Sequence, residues 1–315
     1  MKLSPIVVFA YNRPHYLKQT LEALESNAES KESTLYIFCD GPKPNATGAD
    51  MDKVLEVRAL AKERKWCKEV IIIEKQDNSG LAKAIINGVT EILSKHDSVI
   101  ILEDDLVTSP FFLKYMNTAL NKYRDNDNVI SVVGYNYPIL YDDSFPETFF
   151  LKTADCLGWG TWKQEWALFE HDASVLVKKL ESSNSIAEFN FDNNYPYFKM
   201  LKNVVTGKVN SWAIRWYASA FVNNKYTLFP KKSLVRHIGN NGTNVKADNS
   251  DIFGWDISLN EVTYYEEVVE ENKLARKLLA QHFKKYNRRR LTIANIKYLY
   301  KRFILSKFSN NKSKR

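Results

Sequence analysis

The chain has 315 residues, 44% of them hydrophobic and 13% aromatic, which is enough apolar content to bury a sizeable core and excludes a disordered chain. Its net charge of +8 is uneven: residues 284–315 carry twelve Lys/Arg and no Asp/Glu, leaving 33 basic against 37 acidic residues ahead of them. A mildly acidic body excludes a basic nucleic-acid-binding surface on the main fold.

Ile6-Val7-Val8-Phe9 is the first apolar, β-branched run and reads as a buried strand. It is too brief for the apolar core of a signal peptide and carries no small-residue cleavage site. Tyr16 to Asn27 then shows apolar residues at helical spacing. A second strand, Leu35-Tyr36-Ile37-Phe38, and a helix from Met51 to Trp66 follow. Val70-Ile71-Ile72-Ile73 is a third strand, Leu81 to Ser94 a third helix and Val99-Ile100-Ile101-Leu102 a fourth strand. This alternation predicts a mostly parallel sheet with helices on both faces. In such sheets ligands gather at the carboxyl ends of the strands, where Arg13, Asp40, Asn78 and the run Glu103-Asp104-Asp105 all fall.

Val129 to Val133 is a further strand, and the aromatic-rich, less periodic sequence after it suits an acceptor-binding half. The expected organisation is a nucleotide-binding half over 1–128, an acceptor-binding half over 129–283 and a basic tail over 284–315. In the tail, Ile293, Ile296, Tyr300 and Phe303 recur at helical spacing among Lys297, Lys301, Arg302 and Lys307. That pattern reads as an interfacial helix on an anionic membrane; a helix packed on the body and a nucleic-acid-binding arm are the alternatives. No stretch approaches the roughly 20 apolar residues that span a bilayer. Cys39, Cys67 and Cys156 have no spacing that suggests zinc or a disulfide framework, so a reducing compartment is expected. The expected location is cytoplasmic, peripheral on the inner face of the membrane.

Three carboxylates at the end of a buried strand repel one another unless a cation or hydrogen bonds compensate. A hard divalent ion, Mn²⁺ or Mg²⁺, bridging carboxylate and diphosphate oxygens would do so; a solvated acidic turn is the alternative. Arg13 offers a fork for phosphate or a partner for a surface ion pair. Asp40-Gly41-Pro42 is good turn chemistry as well as a place for nucleotide contact. Trp159 lies between Gly158 and Gly160 and reads either as a platform for a sugar or as core.

The run IILEDDLVTSPFFLKYMNTAL, followed by NVISVVGYN and by TADCLGWGTW, resembles the core of the N-acetylglucosaminyltransferase I family and its bacterial GT-A relatives. The likeness covers roughly residues 4–165, with a weaker echo to about 245. It implies a GT-A (Rossmann-like) fold, a nucleotide-sugar donor, an inverting transfer and a glycan or lipid-linked acceptor in surface polysaccharide synthesis. By the same resemblance Asp105 is the direct metal ligand, Glu103 and Asp104 contact the ribose or sugar, Arg13 holds the nucleotide and Asp40 meets the uracil. Asn78 heads an Asn-x-Gly-x-x-x-Ala stretch similar to one common in GT-A enzymes, with an N-cap by Ser79 as the plainer reading. His237 resembles the late histidines that complete a metal shell in some of them. The family's general base is an aspartate in a Trp-Asp-Asp-Trp segment, and Trp212-Ala213-Ile214-Arg215-Trp216 has no carboxylate there. Asp155, ahead of Leu157-Gly158-Trp159, is the expected substitute, with Glu165 and Asp172 next. Two other classes compete: a nucleotidyltransferase, for which Phe9 to Pro14 lacks a glycine-rich phosphate loop, and a non-catalytic carbohydrate-binding protein.

Overall fold

A computed structural model describes residues 2–239 and 256–287 of the chain. Ten strands occur among them: β1 (Ile6–Ala10), β2 (Thr34–Cys39), β3 (Glu69–Glu74), β4 (Ser98–Glu103), β5 (Leu106–Thr108), β6 (Val129–Val133), β7 (Thr148–Leu151), β8 (Trp159–Trp162), β9 (Tyr226–Pro230) and β10 (Val235–His237). Eight form one sheet in the order β3-β2-β1-β4-β8-β6-β9-β7. The first four pair in parallel, β8 runs antiparallel between β4 and β6, β9 pairs parallel with β6, and β7 closes the far edge antiparallel. The mostly parallel α/β sheet flanked by helices, expected from the alternation of patterns, is present.

Period-two alternation splits the core into two layers. Ile6, Val8 and Ala10 of β1 face one layer, and Val7 and Phe9 face the other. Four helices position the site. Helix α1 (Pro14–Glu25) starts with proline, whose missing N–H costs nothing in a first turn, and buries Leu17, Leu21 and Leu24. A capping box between Thr47 and Asp50 starts α2 (Gly48–Lys62). Helix α3 (Leu81–Lys95) buries Ile85, Val89 and Ile92 beneath the sheet, and α4 (Phe112–Lys122) buries Leu113, Met116 and Leu120. Later helices include Ala173–Ser182, Tyr197–Val205 and Trp212–Val222, and residues 273–287 are helical.

The structure corrects the reading of Trp159 as a sugar platform. Its side chain is 1% exposed and lies in the core, with Trp212 stacked on it at 5.3 Å between ring centroids and Trp216 at 5.7 Å. No face of the indole is open to a ligand. The residues of the expected interfacial helix, Ile293 to Lys307, lie outside the described residues. Among the described residues no helix is long and apolar enough to cross a membrane.

Candidate active site

Strand β1 ends at Ala10 and the chain turns through Tyr11-Asn12 into α1, with Arg13 at the helix start. The parallel register of β1 with β4 sets Phe9 beside Glu103, which brings the Arg13 side chain alongside the turn after β4. There its guanidinium spans two carboxylates. One nitrogen donates to Asp105 Oδ2 at 2.6 Å, and the other donates to Asp104 Oδ1 in a short contact. The two carboxylates are 3% and 6% exposed, so this is a nearly buried double ion pair, and its charges lean on one another rather than on water.

Hydrogen bonds fix both aspartates. Tyr11 N–H donates to Asp104 Oδ2 at 3.4 Å, and the Thr20 hydroxyl donates to the Asp104 carbonyl at 2.9 Å. The antiparallel pair β5–β10 returns residues 235–237 to the acidic turn, where Ile238 N–H donates to the Asp105 carbonyl at 2.9 Å. His237 Nε2 then lies 3.3 Å from Asp105 Oδ2. Gly239 follows, and a Cβ there would stand 2.0 Å from the same oxygen, so no other residue fits without moving the carboxylate.

Electrostatics divide the three acids. Burial, then the charges of Asp105 and Asp104, push Glu103 up to about 8, which leaves it largely protonated near neutrality. Burial also raises Asp104, to about 6, against the pull of Arg13. Asp105 is buried too, yet it stays below the usual carboxylate range because His237 and Arg13 both favour its charged form.

These residues sit at one end of a cavity of about 890 Å³ that runs between the strand ends and α3. Arg13, Asp40, Asn78, Glu103, Asp104, Asp105 and His237 all line it. Asp40 ties two loops together: Oδ1 accepts the N–H groups of Gly41 and Ser79, both at 3.0 Å, and Oδ2 accepts that of Gly80 at 3.3 Å. Asn78 adds a bond from its amide to the Gly41 carbonyl at 3.0 Å. A plain N-cap by Ser79, one of the two readings of this stretch, is not what starts α3. Gly80 holds the cap position with φ +75°, and Asp40 supplies the carboxylate. Lys43, Lys53, Lys75 and Lys83 also face the cavity, as do Ala84, Asn87, Gly88 and Glu91 of α3. The α3 group recurs at intervals of three and four, a signal present in the sequence but hidden by the stronger apolar stripe beside it.

The structure also corrects the role expected of Asp155. The residue does not line the cavity, and its carboxylate is occupied by the Tyr137 hydroxyl at 3.0 Å and the N–H groups of Cys156 and Leu157 at 2.7 and 3.2 Å. It holds the loop that leads to Gly158, whose left-handed backbone lies against Val235 of β10. Asp155 is therefore a positioning residue. The next carboxylates in line are engaged as well: Glu165 pairs with Lys225 at 3.1 Å and Asp172 caps the helix Ala173–Ser182. Asp155→Asn should lower stability by about 1 kcal/mol, because the amide nitrogen cannot accept the Tyr137 hydroxyl, whose bond must reverse or be lost. Chemical denaturation measures this; unchanged stability would remove the loop-holding role.

Could the site take a divalent ion? Among the described residues no group of three or more His, Cys, Asp or Glu side chains is arranged to hold one. Two are. The 3.3 Å between Asp105 Oδ2 and His237 Nε2 is close to the ~3 Å that separates neighbouring donors on an ion with bonds near 2.1 Å. Ions such as Mg²⁺ commonly take one or two protein ligands and complete their shell with substrate phosphates and water. Asp105 and His237 fit that pattern.

A sheet of this order with an acidic turn after its fourth strand is the GT-A arrangement. Residues 6–161 match the family model described as glycosyl transferase family 2, and this supports a GT-A glycosyltransferase that works from a nucleotide sugar. The N-acetylglucosaminyltransferase I likeness rests on motif order alone. None of the curated proteins matches the chain. Among solved structures, residues 1–349 of TarS from S. aureus share 14% identity over 75% of this chain and 60% of that one, with a TM-score of 0.41. UDP-glucose pyrophosphorylase complexed with UDP-glucose shares 11% identity over 74% of this chain and 91% of that one, with a TM-score of 0.37. The galactosyltransferase LgtC, in complex with donor and acceptor sugar analogs, shares 13% identity over 56% of this chain and 64% of that one, with a TM-score of 0.31. The chain thus spans less than two thirds of the TarS form it matches, and likenesses at this level carry no argument about substrate.

Proposed function

We propose that the chain is an inverting, divalent-metal-dependent transferase that moves a hexosyl or N-acetylhexosaminyl group from a UDP-sugar to a glycan or lipid-linked acceptor in surface polysaccharide synthesis. The observation that supports this best is the convergence of Arg13 and His237 on the Asp105 carboxylate at the end of an 890 Å³ cavity. That volume lies within the range of small-molecule sites. In this reading Asp105 and His237 hold Mn²⁺ or Mg²⁺. Such an ion would supply charge neutralisation at the diphosphate. Arg13 presents a bidentate fork to phosphate oxygens. Glu103 and Asp104 contact the ribose or sugar of the donor. Among the described residues Asp40 Oδ2 takes only the Gly80 N–H, which keeps a lone pair for the uracil edge, beside Asn78. Residues 1–128 then serve the donor, together with His237 brought to them by β10, and the rest of 129–283 serves the acceptor.

The decisive experiment supplies UDP-sugars with Mn²⁺ and measures UDP release, beside calorimetry with UDP and GDP. UDP release and tighter binding of UDP than GDP are expected. Pyrophosphate exchange in place of UDP release would indicate a nucleotidyltransferase, and binding without turnover a carbohydrate-binding protein.

The tail belongs to the same proposal: residues 284–315, with twelve basic and no acidic residues, attach the enzyme to an anionic leaflet. Each basic side chain near such a surface contributes about 1 kcal/mol, and salt weakens the attraction. Full-length protein should sediment with anionic liposomes at low salt and a chain cut after residue 283 should not. Equal sedimentation of both would end this assignment.

A further inference from the structure

Asp105 Oδ2 is asked to serve two cations. It accepts Arg13 at 2.6 Å, and it is also the oxygen facing His237 Nε2 at 3.3 Å, where the proposed ion would bind. Two positive groups on one buried oxygen repel each other strongly, since a low-dielectric site screens them little. Arg13 therefore blocks the ion as long as it pairs with Asp105. It cannot simply withdraw, because it is partly buried, lines the cavity and would leave Asp104 without its counter-charge. A replacement anion within reach of the side chain removes the conflict. The diphosphate of a nucleotide in the cavity is one, and its paired oxygens match the guanidinium fork.

On the reading that this is a metal-dependent nucleotide-sugar site, we infer that Arg13 is an exchangeable counter-ion: it holds the Asp104–Asp105 pair when the cavity is empty and releases Asp105 when a nucleoside diphosphate arrives. Metal and nucleotide then bind cooperatively, and the coupling is reciprocal. Part of any such coupling comes from contact between ion and phosphate, so the distinguishing quantity is affinity for the ion with no nucleotide present. Removing Arg13 should raise it.

The test is Mn²⁺ binding to the nucleotide-free full chain by calorimetry, for wild type, Arg13→Ala and Arg13→Lys, with Asp105→Asn as the control for surface binding. Arg13→Ala should bind Mn²⁺ about tenfold more tightly than wild type, within the usual range of coupling factors. Arg13→Lys, with a point charge that engages only one carboxylate, should fall between them. Thermal melting gives a second readout: Mn²⁺ alone should raise the melting temperature of Arg13→Ala and leave wild type nearly unmoved, while UDP with Mn²⁺ raises wild type. If Arg13→Ala does not fold, the ordering of Arg13→Lys against wild type decides. Equal Mn²⁺ affinity in wild type and the variants overturns the exchange and leaves the transferase reading intact. Absence of binding in every protein, with and without UDP, overturns the metal reading and the exchange with it.

Discussion

Asp105→Asn should remove metal-dependent UDP binding and lower turnover by about a thousandfold or more. A metal ion at a developing anion supplies several kcal/mol of transition-state stabilisation, and each 1.4 kcal/mol is a factor of ten. The substitution keeps the shape of the side chain and the backbone carbonyl that accepts Ile238 N–H at 2.9 Å, so β10 stays in place. What changes is charge: the amide no longer favours a cation beside His237. Circular dichroism melting should show a folded protein, and calorimetry should show UDP affinity that no longer responds to Mn²⁺. Metal-dependent turnover within tenfold of wild type would remove Asp105 from the site.

The largest effect on stability is expected at Trp159. Truncating a large buried aromatic side chain costs about 3–5 kcal/mol, partly in lost transfer energy and partly in the cavity left behind. Trp159 packs against Trp166, Trp212 and Trp216, so the void would open where β8, the short helix Lys163–Trp166 and the helix Trp212–Val222 meet. Trp159→Ala should lower the melting temperature by about 10 °C. Donor affinity, measured below the new transition, should change little. A stable variant with weakened sugar binding would restore the ligand-contact reading.

Trp159 illustrates why some of the site was not legible. A glycine-flanked tryptophan at a strand end has the same local sequence whether its indole meets a sugar or three other aromatic side chains. Only the pairing of β8 between β4 and β6 decides. The early strands were legible for the opposite reason: parallel strands buried on both faces are continuous apolar runs, and Ile6 to Phe9 or Val99 to Leu102 can hardly be anything else. Strands β5 and β10, three residues each, are too short to leave a pattern, yet they carry His237 to Asp105. The later helix Trp212–Val222 was hidden because it is apolar on nearly every side and shows no stripe. Arg13, Asp104 and Asp105 could each be named from the resemblance and from their places after strands. Their direct pairing could not, since 91 and 92 residues separate the partners and only the β1–β4 register joins them.

The way β10 returns to β5 also bears on how the protein is made. Ribosomes deliver the chain from its N-terminus, and the early strands and helices form contacts between neighbours in sequence, which fold quickly. His237 and Gly239 emerge more than a hundred residues after Asp105, and the segment 6–161 that matches the family contains neither. A nascent chain halted near residue 161 would thus carry the acidic turn and Arg13 without the strand that brings His237 to Asp105. If Asp105 and His237 hold an ion as proposed, that competence is acquired late in synthesis, and a separately expressed N-terminal half would lack it.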